Sequence, residues 1–199
     1  MQQSTFPSRP LILGSTSRYR SELLARLRIP FETIAPHVDE TPQPGETPQD
    51  LALRLAAAKA QAVAEQFPNA VVIGSDQVAD LNGKPLGKPE THERAVAQLQ
   101  EMRGHAMVFH TAVSVVCIAT GFSAIDVAPV HVRFRDLSDD EIERYLRAEQ
   151  PYDCAGSAKS EGLGISLLDA LDSDDPTSLI GLPLIRTCRM LRAAGLVLP

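Results

Sequence analysis

The stretch "PLILGSTSRYR", residues 10–20, decides the fold. Its first half is an apolar run short enough to be a buried strand. Gly14, Ser15 and Thr16 turn the chain, and Ser17 is a good N-cap for a helix that carries Arg20, Leu23, Leu24 and Leu27 on one face and runs to about Arg28. A buried strand that turns at once into a helix opens a layered α/β fold. The helix start also poses an electrostatic problem. A helix N-terminus is positive and favours Asp or Glu, yet its first turn holds Arg18 and Arg20, with no acid before Glu22. Either the arginines are solvated surface charges, or an anion binds between the free N–H groups and the guanidinium groups.

Outward from this turn the elements alternate. "FETIAP" (31–36) reads as a strand and "HVDETPQPGE" as an acidic loop; Thr47, Pro48 and Asp50 then start a helix that runs to about Phe67. "NAVVIGSD" (69–76) is an apolar strand ending in an acid. A short strand, an Asn82-Gly83 turn and the loop "GKPLGKP" follow. A helix capped by Thr91 closes at Gly104. Residues 106–118 and 122–135 form a long hairpin around "ATG", with Val130, Val132 and Phe134 alternating with His131, Arg133 and Arg135. "SDDEIERYLRAE" is a helix, "YDCAGSAKSEGLGI" a polar loop leading into a strand, and "LPLIRTCRMLRAAG" the closing helix. The pattern predicts an α/β fold on a mixed, twisted sheet flanked by helices, with a long central hairpin. Residues 1–199 are expected to form one domain of two lobes around a cleft, with 1–9 as a flexible tail.

Composition narrows the function. The chain has 199 residues, 44% hydrophobic and 22% charged, and a net charge of −6. That balance argues against a nucleic-acid polymer as partner. No apolar run approaches the roughly 20 residues of a membrane span, and "MQQSTFPSRP" lacks the pattern of a signal peptide. Three cysteines, far apart and without a CxxC, fit a reducing cytoplasm better than a disulfide framework.

Several residues stand out against their surroundings. Lys59 falls on the apolar stripe of Leu51, Leu55 and Ala62, where it either snorkels to the edge or reaches into a cleft; alone, the pattern favours snorkelling. Asp76 ends an apolar strand, where α/β folds gather ligands; the alternative is a turn aspartate. Lys84 and Lys88 sit in a stiff Pro/Gly loop, and Glu40 in an acidic one, where solvated charges are the ordinary reading. Together these residues are the inventory for a nucleoside triphosphate with a divalent metal. There is no GxxxxGK[ST], GxGxxG, GxSxG or HExxH, and the five histidines show no metal-ligand spacing.

"LILGSTSRYRSELL", "VDETP", "RLAAAKA", "IGSDQV", "GKP" and "AGSAKSEG", in this order from about Pro10 to Leu191, resemble the Maf family of nucleoside triphosphate pyrophosphatases. "SDQV" with "SAKSEG" downstream looks like the branch acting on 7-methyl-GTP. The resemblance implies a Maf/Ham1-like (ITPase-like) fold, cleavage of a modified purine triphosphate to the monophosphate and pyrophosphate, and a divalent cation (Mg²⁺, Mn²⁺ or Co²⁺). It also implies a homodimer and a cytoplasmic, house-cleaning role. It places substrate binding on Ser15, Arg20, Glu40, Lys59 and Lys88, catalysis on Asp76, the metal on Glu40 and Asp76, and base selection on Tyr19, Gln77 and Glu161. The dTTP/UTP branch, and a nucleotide-binding regulator of division with little turnover, are the alternatives. The chain departs from the family pattern at Arg18, usually proline, at Ser21, often basic, and at Tyr19, often tryptophan in the methyl-GTP branch.

Overall fold

A computed structural model describes residues 9–198. Of the expected N-terminal tail, 1–8 lie outside the described residues, and Arg9 donates to the Asn69 carbonyl at 3.3 Å. The strands are β1 (Leu11–Gly14), β2 (Glu32–Ile34), β3 (Val71–Leu81), β4 (Lys84–Leu86), β5 (Ala106–Cys117), β6 (Phe122–Phe134) and β7 (Leu168–Asp172). The helices are α1 (Arg18–Ala25), α2 (Pro48–Ala64), α3 (His92–Met102), α4 (Asp139–Glu149) and α5 (Leu184–Ala193). They flank one mixed sheet of order β2-β1-β3-β5-β6-β7, with β4 also paired to β3. β1 runs parallel to β2 and β3; the remaining pairs are antiparallel.

The two-residue period of the strands sorts the core. Leu11, Leu13, Val71 and Ile73 pack with Leu23 and Leu24 of α1 and Met190 and Leu191 of α5. Ile12 and Val72 face the other way, onto Ala60, Val63 and Ala64 of α2. Farther along β3, Ala79 and Leu81 join Leu99, Met102, Ile142 and Leu146 of α3 and α4. Each fully buried aliphatic side chain contributes about 1.5–3 kcal/mol relative to exposure.

Two helices end earlier than their periodicity suggests. α1 stops at Ala25, because the N–H groups of Arg26, Leu27 and Arg28 bond carbonyls three residues back and Arg28 takes a positive φ of 56° ahead of Pro30. α2 stops at Ala64 and tightens the same way toward Phe67. The larger difference is β3. The strand does not end at Asp76; it runs unbroken to Leu81 because β5 pairs with it from Val72↔Val116 to Asp80↔Val108. Asp76 is therefore a mid-strand residue.

Candidate active site

The other edge of β3 is interrupted. β1 pairs with it only as far as Gly14↔Gly74, and β4 begins at Ala79↔Leu86. Residues 75–78 face a gap between a parallel neighbour that has ended and an antiparallel one that has not begun. A change of strand direction of this kind is where open α/β sheets gather ligands. A cleft of about 980 Å³ opens at the gap. It is lined by Ser15, Arg20, Glu40, Lys59, Asp76 and Lys88, and also by Tyr19, Gln77 and Glu161. The residues on which the resemblance places the site thus line one cleft, with Arg18 beside them, whereas Lys84, also singled out by sequence, is not among the lining residues. A second cavity, of about 270 Å³ beside Arg135 and Tyr145, contains none of them.

Lys59 does not snorkel. It is 5% exposed, and its ammonium donates to Asp76 Oδ1 at 2.6 Å and meets Glu40 Oε1 at 2.7 Å. Two glycines make this possible. A Cβ on Gly74 would lie 2.3 Å from the Ala56 carbonyl oxygen and 2.4 Å from the Ala60 N, and one on Gly14 would lie 3.1 Å from the Lys59 carbonyl oxygen. These register partners form a bare strip on which α2 lies backbone to backbone, so Lys59 reaches the face that carries Asp76. A buried lysine needs a partner carboxylate, and here it has two.

The loop that carries Glu40 is fastened to α2. Arg54 bonds both oxygens of Glu46 at 2.5 and 2.9 Å and the Thr41 carbonyl at 3.0 Å. The guanidinium and the Gln43 N–H hold the Glu46 carboxyl down at about 2. Burial raises the pKa of Glu40, but the Lys59 hydrogen bond and the charges of Lys59, Lys88 and Arg20 outweigh it, so the net direction is downward. Glu40 therefore stands in the field of three cations. Arg20 is aimed by a bond from its Nε to the Gly181 carbonyl at 2.9 Å.

A second group gathers around Tyr19. The Arg18 guanidinium lies 4.7 Å from the ring centre and donates to the Tyr19 hydroxyl at 2.7 Å. That hydroxyl donates to Asp153 at 3.2 Å, and Arg18 lies 3.7 Å from the same carboxylate. Burial raises the Tyr19 pKa, with Arg18 opposing and Asp153 adding. Burial also pushes the Cys154 thiol up to about 12, which disfavours the thiolate. Desolvation raises the Glu161 carboxyl, with Glu149 and Asp153 adding and Lys159 opposing; Lys159 itself is bound to Glu149 at 2.6 Å. The two arginines at the head of α1 are accommodated differently. Arg18 is offset by Asp153 from across the chain, while Arg20 faces the cleft.

Ser15 is buried and accepts from the Ser17 N–H at 3.1 Å, which shapes the turn at the head of α1. Gln77 points to the opposite face of β3 from Asp76 and donates to Thr111 and to the carbonyls of Ser178 and Leu179 at 2.9, 2.9 and 3.0 Å. Its amide nitrogen is thereby committed to holding the 178–181 turn, and only its oxygen is left to meet a ligand. Sequence reasoning missed Asp153 and this turn. Neither has a local signal, because Asp153 is 134 residues from Tyr19 and Ser178 is 101 from Gln77. Lys84 pairs with Glu101 at 2.7 Å.

Glu40 and Asp76 both direct an oxygen at one point, now taken by the Lys59 ammonium. Two converging carboxylates suit a hard cation that keeps waters and takes its other ligands from phosphate oxygens. Among the described residues no group of three or more His, Cys, Asp or Glu forms a closed metal cage. Cys117, Cys154 and Cys188 are unpaired, and no described helix is long and apolar enough to cross a membrane.

The chain is similar over most of its length to bacterial proteins. It is 71% identical over 191 residues (96% of this chain, 87% of the relative) to a 7-methyl-GTP pyrophosphatase of Polaromonas sp. (strain JS666 / ATCC BAA-500). It is 71% identical to one of Albidiferax ferrireducens (94% of each chain) and 63% identical to one of Burkholderia thailandensis (93% of this chain, 87% of the relative). Among solved structures, the Staphylococcus aureus Ham1 protein matches with a TM-score of 0.47 at 17% identity, over 64% of this chain and 73% of that one. The family model described as Maf-like protein matches residues 10–194, nearly the whole chain, and the chain belongs to the Maf family.

Proposed function

We propose that this chain hydrolyses 7-methyl-GTP to 7-methyl-GMP and pyrophosphate. The observation that carries the reading is the pairing, in one cleft, of two unlike groups. Arg20, Lys59 and Lys88 suit an anionic tail; Tyr19, Asp153 and Glu161 suit a cationic head. 7-Methyl-GTP has both, and relatives up to 71% identical are named for that substrate.

Arg20 and Lys88 bind phosphate oxygens, and Lys59 offsets charge on the leaving pyrophosphate while fixing Asp76. Water attacks the α-phosphorus; the bond from that phosphorus to the bridging oxygen breaks, and the electron pair leaves on pyrophosphate. Asp76 orients the water through the oxygen not held by Lys59 and takes its proton as the new bond forms. With Lys59 keeping one oxygen of each, the remaining oxygens of Glu40 and Asp76 would hold a divalent cation (Mg²⁺, with Mn²⁺ or Co²⁺ as alternatives), which when bound would neutralise phosphate charge and acidify water. Guanine N1–H and the N2 amino group suit the Glu161 carboxylate, and the Tyr19 ring suits the positive charge that N7 methylation brings. The reading takes residues 1–199 as one domain with two lobes flanking the cleft, acting as a cytoplasmic homodimer.

The test is a panel of nucleoside triphosphates with Mg²⁺, with products separated by ion chromatography. Release of pyrophosphate, fastest from 7-methyl-GTP, then GTP, then ATP, CTP and UTP, is expected. Stepwise orthophosphate would refute the mechanism. Equal kcat/KM for 7-methyl-GTP and UTP would point to the dTTP/UTP type. Turnover no higher than that of Asp76→Ala would point to a nucleotide-binding regulator.

A further inference from the structure

We propose that Arg18 and Asp153 select for the charged base: Arg18 holds the place that a cationic nucleobase takes, and Asp153 then becomes that base's counter-charge. The inference rests on the substrate reading above and extends it to two residues outside the expected set.

A guanidinium is a planar, delocalised monocation with N–H donors along its edge, and it stacks on aromatic faces. A 7-methylguanine ring is also a planar, delocalised monocation with N–H donors along one edge. In this structure the guanidinium lies 4.7 Å from the Tyr19 ring centre and 3.7 Å from Asp153. Arg18, Tyr19 and Asp153 all line the cleft. The ring and the carboxylate therefore already hold a cation of the right shape.

That cation is loosely held. The Arg18 side chain is 67% exposed and that of Asp153 is 53% exposed, so the pair is well solvated and readily exchanged. The nearby acids do not depend on Arg18 for neutrality in equal measure. Lys159 is committed to Glu149, whereas Asp153 loses its nearest cation when Arg18 swings out. A cationic base restores that charge balance; a neutral base leaves Asp153 with the Tyr19 hydroxyl but without a cation. Asp153 thus favours the methylated base, and Arg18, tethered beside Tyr19, competes with it.

The experiment compares 7-methyl-GTP with GTP in three full-length proteins: wild type, Asp153→Asn and Arg18→Ala. Both substitutions are at exposed side chains, so folding is expected to survive and is checked by thermal melting. The ratio of kcat/KM for 7-methyl-GTP over GTP is expected to fall about fivefold in Asp153→Asn and to rise about threefold in Arg18→Ala, the scale of an exposed charge contact. Both changes should lie in KM and weaken with added salt, which a merely structural role would not produce. If the wild type prefers 7-methyl-GTP and the ratio is the same in all three proteins, the inference is overturned while the substrate reading stands. If the wild type shows no preference for 7-methyl-GTP over GTP, the substrate reading fails, and the inference with it.

Discussion

Lys59 and Asp76 form an ion pair 2.6 Å long, both side chains about nine-tenths buried, joining α2 to β3 at the point where β3 has no neighbour on one edge. The two partners are not equivalent. Lys59 also has Glu40 at 2.7 Å, whereas Asp76 makes no other side-chain hydrogen bond or ion pair among the described residues. Lys59→Met leaves a buried carboxylate without its cation and should cost about 3 kcal/mol in urea unfolding. Asp76→Asn leaves Lys59 paired with Glu40 and should cost less, while lowering kcat roughly 10²-fold or more. The reverse order of stabilities, or wild-type turnover by Asp76→Asn, would remove the pair from the centre of the scheme.

Gly74→Ala should be among the most damaging single-methyl changes in the chain. Its Cβ would meet backbone atoms of α2 at 2.3 and 2.4 Å, and backbone cannot rotate away. α2 must lift, at a cost of about 1–3 kcal/mol or more, and Lys59 lifts with it. Gly87→Ala, where nothing lies within 4 Å, is the control for stability. Melting temperature and kcat are expected to fall together in the first and melting temperature to hold in the second.

Glu46 ties the Glu40 loop to α2 in a pH-dependent way. Its carboxyl is lowered from 4.5 to about 2 by Arg54 and the Gln43 N–H. A depressed folded-state pKa stabilises fully above the unfolded value and is lost as pH falls through the folded one, so this contribution should fade between 4.5 and about 2. Glu46→Gln should flatten the fall of Tm with acid in that window. It should also raise KM at neutral pH by loosening Glu40. An acid limb identical to wild type would show that the Arg54 contact does not carry the loop.

Glu161→Gln should shrink the preference for guanine over pyrimidine nucleotides, because an amide offers only one acceptor to the paired N1–H and N2 donors. A loss of about tenfold in kcat/KM for GTP, with little change for UTP, is the expected pattern by steady-state kinetics. Equal losses for both would mean that Glu161 shapes the loop and does not read the base.

Tyr19→Leu keeps an apolar wall but removes the π face. The gap between 7-methyl-GTP and GTP should narrow by about threefold, the scale of a partly exposed cation–π contact. A gap of wild-type size would place recognition of the positive charge elsewhere.

The sequence by itself determined the alternation of elements, the caps at Ser17, Thr47 and Thr91, and the hairpin closed at Gly121. It also picked out Arg20, Lys59 and Asp76, because a charge at the head of a helix, on an apolar stripe or at the end of an apolar run conflicts with rules that act over a few residues, whereas Tyr19, Gln77 and Glu161 carried no such local signal and came only with the family resemblance. Tertiary structure alone decided three things. Asp76 sits within β3 and not at its end, because strand length is set by whichever partner pairs with it, and β5 continues where β1 stops. Lys59 is buried, because a lysine on an apolar stripe leaves solvent only if carboxylates are brought to it, here one from a strand and one from a loop. Asp153 balances the cation at the head of α1 from more than a hundred residues away. Periodicity and capping are local and therefore legible in order along the chain. The pairing of strand edges and the neutralisation of buried charge depend on which distant segments meet, and only the folded chain fixes that.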